Sequence, residues 1–154
     1  MEARLEWTRG DYAISTDPDR LDRPMIQRFL REEAHWSRGV PPERVNRALD
    51  HSLVFGLFHG PEQVGFARVV SDRASFAYLA DVFVLPAHRR QGLGTWLVER
   101  VLDHPDLQGL RRFLLATADA HPLYARFGFN PLERTERFLA IERTPDELYG
   151  TQRG

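Results

Sequence analysis

The stretch Arg89-Arg90-Gln91-Gly92-Leu93-Gly94 decides how the rest of the chain is read. It stands between the apolar run Asp81 to Leu85 and the helical pattern Trp96 to Leu102. Two glycines one residue apart let the backbone turn tightly and present bare N–H groups, because no Cβ blocks an approaching anion. The positive end of the helix that follows points at the same spot. Arg89 and Arg90 add fixed charge suited to phosphate. The stretch therefore predicts a strand, an anion cradle and a helix.

Outward from the cradle, the pattern alternates between strand and helix signals. Tyr12 to Thr16 is β-prone and ends at Asp17-Pro18, which predicts a first strand. Asp22 suits an N-cap, and Met25, Ile26, Phe29 and Leu30 recur at helical spacing up to His35-Trp36. Ser37 to Pro42 breaks that helix, and Pro42 opens a second one carrying Val45, Ala48 and Leu49. Ser52–His59 and Gln63–Val70 form a predicted hairpin around Gly60-Pro61-Glu62, with Gly65 marking a bulge. Ala74–Leu85 is the central strand and Gly94–Asp103 the third helix, followed by a strand over Arg111–Ala116. Asp119 is expected to cap a short helix through Phe127 that stops at Gly128, before two final strands, Phe129–Leu132 and Phe138–Glu142. The fold class is α/β, a mixed sheet with helices on both faces and one parallel crossover built on the third helix. The cradle then lies at the C-terminal end of a strand, where such sheets hold ligands.

A chain of 154 residues fits one domain, 1–154, with about 145–154 as a loose tail. A net charge of −1 argues against a nucleic-acid partner. No apolar run approaches the roughly 20 residues of a membrane span. Met1 to Gly10 carries Glu2, Arg4, Glu6 and Arg9 without an apolar segment, so no signal peptide and a cytoplasmic location are expected. The absence of cysteine removes disulfides, thiolate metal sites and a cysteine nucleophile together. All 21 basic residues are Arg, so the chain has no lysine amine of its own to acylate.

The cradle lacks the Gly-Lys-Ser/Thr ending of a Walker loop and the three-glycine dinucleotide pattern. Its flanks are more specific. Arg89-x-x-Gly92-x-Gly94 is preceded by Val82-Phe83-Val84-Leu85-Pro86 and followed by Leu123-Tyr124-Ala125-Arg126-Phe127-Gly128-Phe129. In this combination the sequence resembles the GNAT superfamily of acyl-CoA-dependent N-acyltransferases. The resemblance implies a central, mostly antiparallel sheet with a splayed parallel pair, acetyl-CoA as co-substrate and no metal. It implies that the loop from Arg89 to Thr95 receives the CoA pyrophosphate on the backbone N–H groups of Arg90, Gln91, Gly92, Leu93 and Gly94, with the Thr95 hydroxyl beside them. The pantetheine arm would pair with the backbone of Val82, Phe83 and Val84.

Tyr124 is the implied general acid, a phenol able to give a proton to the departing thiolate, although a Tyr beside Leu123, Phe127 and Phe129 also suits plain packing. Asp81 interrupts an apolar strand and is either a base toward the amine, directly or through water, or a solvated carboxylate on a half-exposed face. In the resembled family an acidic residue near this position often serves as base. His121, three residues before Tyr124, could contact the acyl chain or simply start the helix. Thr117 and Asp119 stand where many family members place an Asn, and serve either the pantetheine amides or the helix cap. His35, Trp36, Phe76 and Tyr78 are candidate acceptor contacts. The expected activity is direct acetyl transfer to a primary amine of a small molecule or peptide. A non-catalytic acyl-CoA sensor would keep the cradle without needing Tyr124, and another phosphate binder would need no splayed strand. A homodimer, the commonest closed assembly, could pair through the exposed final strands.

Overall fold

The first strand of the protein is one that its residues hardly announce. In the computed structural model, which describes residues 3–150, β1 (Glu6–Arg9) precedes the expected first strand, β2 (Tyr12–Ser15). The two pair antiparallel across Gly10, whose φ of 57° closes the turn. Glu-Trp-Thr-Arg is polar and mostly exposed, as befits an edge, so it carries no hydrophobic alternation to read.

β3 (Leu53–His59), β4 (Glu62–Ser71), β5 (Phe76–Val84) and β6 (Arg112–Leu115) complete a sheet in the order β1-β2-β3-β4-β5-β6. Every pairing is antiparallel except β5–β6. That parallel pair is joined through α3 (Leu93–Leu102), the predicted crossover. α3 lies against β3, β4 and β5 and buries Leu93, Trp96, Leu97, Val98 and Val101, while Phe55, Leu57, Val64, Phe66 and Val69 form the buried body of the sheet. Arg9 stacks its guanidinium on the Trp96 ring at 4.7 Å, which ties the edge strand to this helix.

Two register shifts shape the sheet. The first skips Val64, between the pairs Leu57↔Gly65 and Phe58↔Gln63, next to the glycine that the sequence marks. A Cβ on Gly65 would stand 2.8 Å from Leu57 Cδ2 and 2.9 Å from the Phe83 carbonyl oxygen, so three strands close on this residue because it has no side chain. The second sets Asp81 and Val82 of β5 against Ala67 alone on β4, and Asp81 takes a left-handed φ of 53° there.

The chain divides into two compact units, one of Met1–Asp22 and Arg47–Thr117 and the other of Arg23–Asn46 and Ala118–Gly154. The first is the sheet with α3. In the second, α1 (Arg23–Arg28) does not run on to Trp36 as the periodicity predicts. It loosens into a π turn over Phe29–Glu33 and a 3-10 turn over His35–Ser37, because Ser37 Oγ donates to the Leu30 carbonyl at 2.7 Å and Gly39 N–H to the Arg31 carbonyl at 2.9 Å. α2 (Pro42–Asp50) starts at Pro42 as predicted, and its Asn46 Oδ1 accepts from Arg23 and Gln27 of α1.

α4 (His121–Ala125) is shorter than predicted, and its cap position is Ala120 rather than Asp119. Its stop is the expected one, with Gly128 at φ 97° and the Gly128 and Phe129 N–H groups returning to the Ala125 and Tyr124 carbonyls. The two final strands do not form. Residues 129–132 and 138–142 join no ladder, and Leu139 and Ile141 stand 94% and 88% exposed, since β-prone residues make a strand only where an edge receives them. Residues 144–150 depart from the expected loose tail. Thr144 N–H donates to Glu147 Oε1 at 2.8 Å and Glu147 N–H to Thr144 Oγ1 at 3.1 Å, a reciprocal cap that opens the π turn Asp146–Gly150. Those bonds hold the Glu147 carboxyl below its ordinary value. The end of that tail, 151–154, lies outside the described residues.

Gly65→Ala is expected to destabilise the fold by about 1–3 kcal/mol, since the new methyl must displace the Phe83 backbone as well as the Leu57 side chain. Thermal denaturation read by circular dichroism checks this, and an unchanged midpoint would show that the three strands can part.

Candidate active site

The cradle grows out of β5. After Val84 the chain makes a 3-10 turn, Pro86–His88, and reaches α3 through Arg90 at φ 66° and Gly92 at φ 78°. Left-handed residues in such a loop turn successive N–H groups toward one side, the geometry of an anion nest. Gly92 is the N-cap position of α3 and offers no side-chain cap, so the first-turn donors stay available to a ligand. A Cβ at Gly92 or Gly94 would meet nothing within 4 Å. Side-chain packing therefore does not require a glycine at 94, while the left-handed φ of Gly92 favours one, and the bare backbone at both positions leaves room for an anion.

Three contacts hold the loop in place. Arg89 Nε donates to the Val84 carbonyl at 2.7 Å, so this guanidinium ties the loop to the end of β5. The Tyr12 hydroxyl lies 2.8 Å from His88 Nδ1, and Gln91 Nε2 donates to the same hydroxyl at 3.4 Å. His59 completes this cluster, its ring 4.7 Å from that of Tyr12 and 5.2 Å from that of His88. Tyr12 and His59 were not among the predicted site residues.

Upstream of the loop, the β5–β6 ladder ends at Leu79↔Leu115, while β5 continues to Val84. Val82, Phe83 and Val84 thus belong to the stretch of β5 beyond its parallel neighbour, and Phe83 and Val84 stay in register with Phe66 and Gly65 on β4. Asp81 begins that stretch. Its Oδ2 receives Arg68 Nε at 2.8 Å, and the side chains of Asp81 and Arg68 are only 10% and 18% exposed. Arg68 is the functional candidate that sequence reasoning missed. Its signal was present, since it interrupts the apolar run Val64 to Val70 as Asp81 interrupts its own strand. Phe76 and Tyr78 lie two residues apart on β5 and share one face with the exposed Val70, so they form a partly exposed apolar patch.

The second unit carries the other predicted residues. Tyr124 sits in α4, its ring edge-on to Phe129 with centroids 5.9 Å apart. Burial pushes the Tyr124 phenol above its ordinary value, so it keeps its proton through the neutral range. His121 is the first residue of α4, three before Tyr124. His35 and Trp36 are packed edge to face at 5.3 Å, with Trp36 45% exposed. Among the described residues no three His, Cys, Asp or Glu side chains converge as a metal site would require. No described helix is long and apolar enough to cross a membrane.

A bulged strand thus runs past its parallel neighbour into a glycine loop at a helix N-terminus. Residues 23–129 match the model of the acetyltransferase (GNAT) family, and the chain belongs to that family. A Gibberella zeae protein assigned as an acetyltransferase is 37% identical over 142 aligned residues, covering 78% of this chain and 79% of the relative. A crystal structure from Xanthomonas campestris pv. campestris, assigned to the same family, is 50% identical over 91% of this chain and 97% of its own, with a TM-score of 0.88. A Clostridium acetobutylicum acetyltransferase solved with acetyl-CoA shares the fold at 14% identity, with a TM-score of 0.62 over 85% of this chain and 94% of its own. The protein is accordingly an acetyltransferase.

Gly94→Leu is expected to raise stability by roughly 0.5–1 kcal/mol, because leucine favours a helix and meets no neighbour there. It should at the same time weaken binding of inorganic pyrophosphate in calorimetry. Unchanged binding would show that the anion site lies elsewhere.

Proposed function

We propose that the enzyme transfers an acetyl group from acetyl-CoA directly to a primary amine of a small molecule or peptide. The observation that carries this reading is the end of the β5–β6 ladder at Leu79, immediately before a nest at the head of α3. One end suits an arm that hydrogen-bonds to a strand, the other a pyrophosphate. The Clostridium acetobutylicum protein of like fold, crystallised with acetyl-CoA, supports the same donor. The matched span 23–129 draws on both units, which supports one acetyltransferase domain. We place the reaction in the cytoplasm, and the enzyme is a monomer or a homodimer there.

In this reading Arg90 to Gly94 hold the pyrophosphate with their N–H groups, and the Thr95 hydroxyl adds a further donor. Arg89 braces the loop while Val82 and Phe83 offer backbone groups to the pantetheine amides. The amine nitrogen attacks the thioester carbonyl, a C–N bond forms and the C–S bond breaks. Tyr124 gives its phenolic proton to the departing sulfur, and Asp81, directly or through water, takes the proton that the amine loses. With no cysteine in the chain, attack by the amine itself needs no covalent enzyme intermediate. Trp36, His35, Phe76, Tyr78 and His121 shape the acceptor side.

Calorimetry with acetyl-CoA, CoA and ATP tests the donor. Tight binding of the two CoA species and none of ATP is expected, and a preference for ATP would overturn the proposal.

Tyr124→Phe should lower kcat by roughly a hundredfold, the lower end of general-acid effects, with the acetyl-CoA Kd unchanged. Because the neutral phenol is the donor and burial raises its pKa, activity is lost only as pH climbs past the ordinary tyrosine value of about 10. A kcat that the substitution leaves unchanged would remove Tyr124 from the chemistry and favour the sensor reading.

A further inference from the structure

We propose that Arg68 is a positioning residue for Asp81, and that Ser52 completes the brace. The proposal rests on the role of Asp81 as proton acceptor. Asp81 occupies the bulge of β5 at a left-handed φ of 53°, where no regular ladder directs its side chain. Arg68 stands on β4 opposite Ala80, one position before the bulge, and reaches diagonally to place Nε 2.8 Å from Asp81 Oδ2. The guanidinium is itself held, because Nη1 donates to Ser52 Oγ at 3.2 Å while Ser52 Oγ donates to the Ala48 carbonyl at 2.6 Å. Ala48 lies in the last turn of α2, so a relay of side chains runs from a helix end, through Ser52 and Arg68, to the carboxylate.

The physical argument follows from burial and shape. The sheltered carboxylate faces a guanidinium across one short bond, so its orientation is tied to that of Arg68. The planar guanidinium fixes a direction, because its donors leave at set angles from one rigid plane. Two features indicate that stability is not the reason for the pair. A mostly buried ion pair stabilises a fold little compared with apolar residues of the same volume. Both charges also interrupt runs that are otherwise apolar, Val64 to Val70 and Phe76 to Val84. A bulge that loses its ladder geometry needs another device to hold its side chain, and Arg68 is that device.

A double-mutant cycle on the full chain tests the proposal, with kcat and acetyl-CoA KM measured by thiol release. Asp81→Asn and Arg68→Met should each lower kcat by roughly tenfold to a hundredfold, the cost of losing or misplacing one catalytic group, with acetyl-CoA KM unchanged. The double variant should be no slower than Asp81→Asn alone. Arg68→Lys should recover only part of the loss, and Ser52→Ala should show a smaller loss of the same kind. Equal and independent losses that multiply in the double variant would overturn the proposal, as would an Arg68→Met enzyme with normal kcat beside an impaired Asp81→Asn. If Asp81→Asn itself is fully active, the proton-acceptor role fails and the proposal falls with it, a distinct result. Should Arg68→Met not fold, Ser52→Ala in the presence and absence of Asp81→Asn supplies the same cycle, and additive losses there overturn the brace.

Discussion

A strand that parts from its neighbour must turn its backbone toward something else, and β5 parts from β6 after Leu79. The two-against-one bulge at Asp81 and Val82 makes the departure possible, since it adds local twist and re-aims the strand beyond it. Left-handed backbone at Asp81 and Arg90 costs on the order of 1–3 kcal/mol each, and packing must hold such residues there. Both outliers lie within ten residues of each other, on either side of the turn that leads into α3. Strain thus gathers around this turn, apart from the bulge between β3 and β4 and a third left-handed residue, Arg73 at φ 62° between β4 and β5.

The chemistry divides along the same lines as the chain. The first unit carries the glycine loop, the end of β5 beyond its ladder with β6 and the Arg68–Asp81 pair. The second supplies Tyr124, His121 and the aromatic turn at His35 and Trp36. Aromatic candidates occur in both units, since Phe76 and Tyr78 lie on β5.

The crossover β5–α3–β6 was legible because its signals are local: an apolar strand, a glycine pair and an amphipathic helix follow one another without a gap. β1 was not, because Glu6 to Arg9 takes its strand form from pairing with β2 and shows no apolar face of its own. The reverse holds for Phe138 to Glu142, whose composition favours a strand that the described fold gives no partner. Tyr12 and His88 stand 76 positions apart, so only the sheet could bring them to 2.8 Å. Arg68 and Asp81 were nearer to legible, because a hairpin places their strands side by side and each is the lone charge in its apolar run. Asp81 was singled out because it precedes the cradle, and its partner was overlooked because it does not.

The bond from Arg89 Nε to the Val84 carbonyl has a consequence for the kinetics of donor capture. A glycine loop left to itself samples many shapes, and each arriving anion would have to wait for the right one. With its first residue stapled to the strand it came from, the loop is ordered when the chain folds. The entropy of ordering this end of the loop is then lost on folding, and an anion that binds there need not bear it again.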